Sequence, residues 1–218
     1  MNRFIPLLLS LLLLAGCAQK PTTQATAEAK DIGPAQLPQT KPGEAVATLA
    51  GGCFWCVEEE LENLKGVREV VSGYAGGDLE NPTYEQVGTD QTGHAEAVQV
   101  YYDPNVMPYD TLLKAFFAGH DPTTPNRQGP DIGTQYRSAA FYRTPAEKTA
   151  IDAAIKQTNA SGYFDNPVVT QVLPFKAFYA AEGYHQGYYR AHPENPYVQN
   201  ISKPKVEKFR KAMKNWLK

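Results

Sequence analysis

Across residues 45–218 the hydrophobic pattern keeps switching period, and no other feature of the sequence restricts the fold as much. Ala45–Ala50 is a short apolar run that ends in Gly51-Gly52. A helix period then opens near Cys53, with Val57, Leu61 and Leu64 on one face and Gly66 as its stop. Val67–Tyr74 reads as a second strand, and His94–Tyr102 alternates as strands do. Tyr109–Ala118 returns to a helix period, and Thr134–Tyr142 reads as a further strand. Thr144-Pro145-Ala146-Glu147 predicts a capping box with proline at the first helical position, and Gly162 ends that helix. Val168–Leu173 is another strand, and Val206, Phe209, Met213 and Trp216 form the stripe of a last helix. Strands and helices alternate irregularly, through long turn-rich connections. That predicts an α+β fold of two layers, helices packed on one mostly antiparallel mixed sheet. A doubly wound parallel fold would need cleaner repeats and longer apolar strands.

The first 44 residues follow other rules. Arg3 precedes an apolar run from Phe4 to Leu14. This is too short for a spanning helix, which needs roughly 20 such residues, and it fits a signal peptide over 1–16. Leu14-Ala15-Gly16-Cys17 is similar to a bacterial lipobox, which implies acylation of Cys17 and anchoring by lipid. In such lipoproteins a non-acidic residue after the cysteine, here Ala18, implies the outer membrane, with the domain facing the periplasm. Residues 17–44 contain no aromatic side chain and read as a disordered tether, and 45–218 as one domain. A net charge of −2, with no long basic run, argues against a nucleic-acid partner.

After Cys17, only Cys53 and Cys56 remain, in Gly51-Gly52-Cys53-Phe54-Trp55-Cys56. A cysteine opening a helix meets free N–H groups, which predicts a lowered thiol pKa at Cys53. Its neighbour three residues on can meet it as a disulfide once one sulfur is oxidised. Phe54 and Trp55 suit a small apolar group or the core. A zinc site finds no second C-x-x-C or H-x-x-x-H to complete it, so no metal is expected. A structural disulfide stays open, although so short a loop gains little. In Thr92-Gly93-His94-Ala95-Glu96-Ala97-Val98, alternation places Glu96 beside Val98, where a carboxyl keeps its proton near neutrality and can act as an acid. The alternative is an exposed strand edge. Asp131 and Tyr136 sit in a turn and strand, both ordinary places for them. Glu182–Tyr189 brings Tyr184, His185 and Tyr188 to either a polar pocket wall or a wet surface.

Taken together, GCFWC with Val-Glu, NPTYEQV, TGHAEAV, DIGTQYRSA and YHQGYY resemble peptide methionine sulfoxide reductase of the A type, over essentially all of 46–200. The resemblance implies a plait with a ferredoxin-like core and reduction of methionine-S-sulfoxide, free or in proteins. It implies Cys53 as nucleophile, Glu96 as proton donor, and Tyr84, Tyr136 and Asp131 around the oxygen. Phe54 and Trp55 would hold the substrate methyl group, with His185 and Tyr188 as further substrate contacts. No cofactor is implied, electrons coming from a thioredoxin-like dithiol partner, and a monomer is expected. Many relatives carry a resolving cysteine near the C-terminus. Residues 57–218 contain none, so Cys56 is expected to resolve the sulfenic acid. The competing expectations are a thioredoxin-like disulfide oxidoreductase, also built on C-x-x-C, and a tyrosine-rich binding lipoprotein without catalysis.

Overall fold

The computed structural model describes Met1 and residues 33–218, so the expected signal peptide and Cys17 lie outside the described residues. In chain order the elements are β1 (Ala45–Gly51), α1 (Phe54–Glu62), β2 (Val67–Ala75), α2 (Tyr84–Gly88), β3 (Ala95–Tyr102) and α3 (Tyr109–Gly119). The two-residue strands β4 (Arg127–Gln128) and β5 (Asp131–Ile132) follow, then β6 (Ser138–Tyr142), α4 (Pro145–Ala160), β7 (Gln171–Pro174), β8 (Phe178–Ala180), α5 (Tyr188–Ala191) and α6 (Lys203–Ala212).

The main sheet has the order β7-β6-β1-β3-β2-β8. Every pairing in it is antiparallel except β6 with β7. The run β1-α1-β2-β3-α3-β6 is a split β-α-β plait whose two central strands are β1 and β3. The two-layer α+β expectation therefore holds. Alternation sorts the side chains by face. Leu49, Val98 and Val100 join Val57, Leu61, Leu112 and Phe116 in the core between sheet and helices. Val71, Ala97, Tyr101 and Phe141 cluster on the opposite face. Each Leu or Val fully buried this way contributes about 1.5–3 kcal/mol.

Helix α1 is buried nearly all round, which its apolar stripe alone did not announce. Glu58, Glu59 and Glu60 are each less than 5% exposed. Glu58 accepts hydrogen bonds from the Ser72 hydroxyl and the Gly187 N–H, and Glu59 from Arg190, Arg210 and Asn63.

Three expectations need correction. Thr134–Tyr136 is a 3-10 turn, and the strand begins only at Ser138. Gly133 turns the backbone there, and the Thr134 N–H donates to the Asp90 carboxylate at 2.7 Å. At α4 the Thr144 hydroxyl does accept from the Glu147 N–H (3.1 Å), but the Glu147 carboxylate reaches past it to the Arg143 N–H, so the box is half closed. Finally, residues 33–44 of the expected tether follow the domain surface. The Ala35 N–H donates to Ala181 O at 2.9 Å, and Pro34 bridges to Glu182. Arg68 binds the Gln39 carbonyl and the Glu44 carboxylate.

Candidate active site

Strand β1 delivers Cys53 through Gly51-Gly52. Gly52 has φ +89°, and a Cβ there would stand 2.4 Å from Cγ of Gln128. Only glycine fits both the turn and that approach. The Gln128 amide is itself fixed to the Asp121 backbone at 3.1 and 2.9 Å. Cys53 is the cap of α1 and is 6% exposed.

Glu96 comes from the adjacent central strand. It lies on the helix-side face with Val98 and Val100 and is 3% exposed. Its Oε2 accepts the Phe54 N–H at 3.0 Å. Burial raises its pKa to about 8, a shift that the Phe54 bond opposes and that Asp131 and Cys56 enlarge. At neutral pH the carboxyl thus carries a proton. The expectation of a buried carboxyl beside Val98, rather than an exposed strand edge, is met by this geometry.

The expectation for the nucleophile is not. Burial drives the Cys53 thiol well above its ordinary value, and Cys56 and Glu96 push the same way. The first amide of the helix is taken by Glu96, not by sulfur. For Cys56 the direction reverses: it falls to about 6, because the Cys53 thiol donates to it and Lys205 lies close, burial opposing. Of the two sulfurs, Cys56 is the one whose surroundings favour the thiolate.

A cavity of about 300 Å³ opens beside Cys53 and Glu96. Phe54 and Trp55 supply its apolar wall, and Tyr84, Asp131 and Tyr136 its polar one. Tyr84 is set by a capping box between Thr83 and Gln86 at the start of α2, and its N–H donates to Glu182 at 2.9 Å. Tyr136 is aimed inward by the 3-10 turn that replaced the expected strand. Burial raises the pKa of both tyrosines, so both hydroxyls stay donors at neutral pH. Among the described residues neither hydroxyl has a hydrogen-bond partner, so both are free to donate into the cavity.

Asn195 and Tyr197 complete the lining. Neither was singled out from sequence. They precede α6 in an aperiodic stretch, and only folding brings them more than 100 residues back in sequence to α1. The Tyr197 hydroxyl donates to Asp131 Oδ2 at 2.5 Å. Asp131 and Tyr197 also line a second cavity of about 230 Å³, which Cys56 and Lys205 share.

His185 and Tyr188 were expected to contact substrate, and this is corrected: they stand one layer behind. His185 is 1% exposed and its Nδ1 accepts the Trp55 indole N–H at 3.1 Å. Burial lowers its pKa to about 4, so it is neutral. Tyr188 stacks on Trp55 with ring centroids 3.8 Å apart. Together they hold the indole against the cavity. No three His, Cys, Asp or Glu side chains gather as metal ligands among the described residues.

The family pattern described as peptide methionine sulfoxide reductase matches residues 45–217. The chain is 51% identical over 175 residues to the peptide methionine sulfoxide reductase MsrA of Thermus thermophilus, covering 80% of this chain and 98% of that one. Among solved structures it is similar to reduced Mxr1 from Saccharomyces cerevisiae (TM-score 0.68, 34% identity, 72% of this chain and 91% of that one). It is also similar to Mxr1 in its complex with Trx2 (TM-score 0.51, 26% identity, 70% and 91% covered).

Proposed function

The chain belongs to the peptide methionine sulfoxide reductase family, and from that premise we propose how its own side chains carry out the reaction. It is an oxidoreductase that returns methionine sulfoxide to methionine, a protein-repair activity. The two readings that compete on sequence, a thioredoxin-like oxidoreductase and a non-catalytic binding protein, give way to this one.

One observation carries the mechanism. A neutral carboxyl, two free phenol hydroxyls and a cysteine sulfur surround a single cavity with an aromatic wall. The sulfoxide methyl group lies against Phe54 and Trp55, and the oxygen accepts from Tyr84 and Tyr136. Cys53 releases its proton to solvent, and its sulfur attacks the sulfoxide sulfur. Glu96 protonates the oxygen. The hydroxyl transfers to Cys53, methionine leaves, and Cys53 is a sulfenic acid: one sulfur reduced by two electrons, the other oxidised by two. Asp131, held by Tyr197, orients the polar wall. Cys56 then displaces the hydroxyl as water, and a thioredoxin-like dithiol reduces the Cys53–Cys56 disulfide, in keeping with the Mxr1–Trx2 complex. The S epimer is the expected substrate.

Mass spectrometry after one turnover with methionine-S-sulfoxide tests this reading. It should find a Cys53–Cys56 crosslink and one methionine released per enzyme. Oxidation anywhere else rejects it. Lipid attachment at Cys17 is supported by the Leu14–Cys17 motif alone, and the outer membrane, with the domain facing the periplasm, by Ala18 after it. Loss of membrane association in a Cys17→Ser protein tests it.

A further inference from the structure

Behind the substrate cavity lies the second one, and the proposed mechanism has no use for it. It is walled by Cys56, the end of α3 at Gly119–Asp121, the Gln128–Asp131 segment, Tyr197 and the first turns of α6. The Asp131–Tyr197 hydrogen bond stands between the two chambers. Lys205 of α6 reaches this rear chamber, on the side of Cys56 away from the substrate.

The charges around Cys56 are unequal. On its own helix Cys53 is neutral, and Glu60 one turn on is 2% exposed with Oε1 unpartnered. Burial raises the Glu60 pKa well above the carboxylate range. Gly119 faces this carboxyl so closely that a Cβ would lie 2.3 Å from Oε2. From α3, His120 is buried and neutral, its pKa lowered to about 3 by burial, and Asp121 lies farther round the wall. From β3, Glu96 is protonated. Asp131 is the acid that faces the pair, and its Oδ2 is occupied by Tyr197. Lys208 lies on the outer rim. Burial works against the ammonium of Lys205, yet Cys56 and Glu60 outweigh it and keep it charged. Ser202, fully buried one turn before Lys205, has no oxygen or nitrogen partner, and its hydroxyl favours the Cys56 thiolate alongside Lys205. Among the described residues Lys205 is thus the cation shared by the Cys56 sulfur and the Glu60 carboxyl, while Glu96 is protonated and Asp131 is bonded to Tyr197.

We propose that Lys205 is a positioning residue for the resolving step, holding Cys56 as a thiolate from the rear chamber so that it can attack the oxidised Cys53. In that step the Cys56 sulfur forms the S–S bond, the S–O bond of the Cys53 sulfenic acid breaks, and the departing hydroxide leaves as water with a proton from Glu96, which solvent has recharged after the first step. The same ammonium stabilises Cys56 as leaving group when an incoming thiolate attacks Cys53 of the disulfide. Of the two sulfurs, Cys53 is then the one that the reductant engages. The inference rests on Cys56 being the resolving cysteine.

Three measurements on the full chain separate these ideas. In a Cys53→Ser protein, iodoacetamide labelling of Cys56 against pH, read by mass spectrometry, should have a midpoint well below that of an ordinary thiol. Adding Lys205→Met should raise the midpoint by about one pH unit or more, and Lys205→Arg should restore most of it. In single-turnover quench experiments on the Lys205→Met enzyme, methionine release should keep its rate while the dimedone-reactive sulfenic acid decays about tenfold more slowly. An ordinary Cys56 midpoint in the Lys205-containing protein, a measurement that needs no Lys205 variant to fold, overturns the proposal. So does an unchanged midpoint in Lys205→Met. Full multiple turnover by Cys56→Ser instead overturns the resolving role itself, whatever Lys205 does.

Discussion

The Phe54 N–H donates to Glu96 Oε2 at 3.0 Å, so the first peptide of helix α1 is bonded to a carboxyl on the neighbouring strand. The residue after the nucleophile thereby fixes the acid. Burial is what keeps the helix terminus from activating Cys53 at rest, and the amide next to it is bonded to Glu96.

Glu96→Gln keeps an acceptor for that N–H and removes the proton. Reduction at pH 7 should fall by about 10²–10⁴-fold. For the unchanged enzyme, methionine formation should decline as pH rises through about 8, where Glu96 loses its proton. A flat profile up to pH 9, measured under single turnover, would remove Glu96 from the acid role.

The same carboxyl leaves a mark on stability. Its folded pKa of about 8 exceeds the ordinary 4.5, so the native state holds a proton that the unfolded chain has lost across that window. Stability from this group is fully present below pH 4.5 and is lost as pH rises toward 8, by about 1.4 kcal/mol per pH unit at most. Cys56, His120 and His185 are shifted down and pull the opposite way in parts of this range, so the total curve mixes signs. The difference between the wild type and Glu96→Gln isolates the effect. Urea melts should show the variant gaining on the wild type from pH 5 to pH 8.

Tyr84→Phe and Tyr136→Phe each delete one donor to the substrate oxygen while preserving the ring. Each should lower kcat about 10–100-fold with a smaller change in KM, since the bond strengthens as charge develops on oxygen. A rise in KM alone would mean that the hydroxyls bind substrate without aiding the chemistry.

Gly52→Ala asks an L-residue to adopt φ +89° and to displace Gln128. A loss of about 1–3 kcal/mol or more is expected in thermal melts, with a fall in kcat as Cys53 moves. Gly162→Ala, also at positive φ but with nothing within 4 Å, should cost less and leave kcat alone.

The reactive residues were legible where chemistry and period coincide. Cys53 and Cys56 stand out because so few cysteines exist; alternation put Glu96 beside Val98 but left an exposed strand edge open, and the family resemblance decided between them. The depth of Cys53 was not legible. Local sequence shows a helix start but not the walls that α6 and the β4–β5 ribbon build over it, so burial reversed the expected pKa shift. Tyr136 was placed in a strand because its neighbours alternate, whereas Gly133 and the distant Asp90 impose a turn. His185 was read as a contact because its string is polar; its true partner, the Trp55 indole, is 130 residues away in the chain. Asn195, Tyr197 and Lys205 carried no periodic signal.

Neighbouring strands β1 and β3 carry the nucleophile's approach and the acid, with Leu49 opposite Val98 in the ladder that joins them. The spacing between sulfur and proton is therefore set by backbone rungs about 4.8 Å apart, the least compliant ruler a protein possesses. Loops can be recut to suit new clients or new electron donors without retuning the reaction itself.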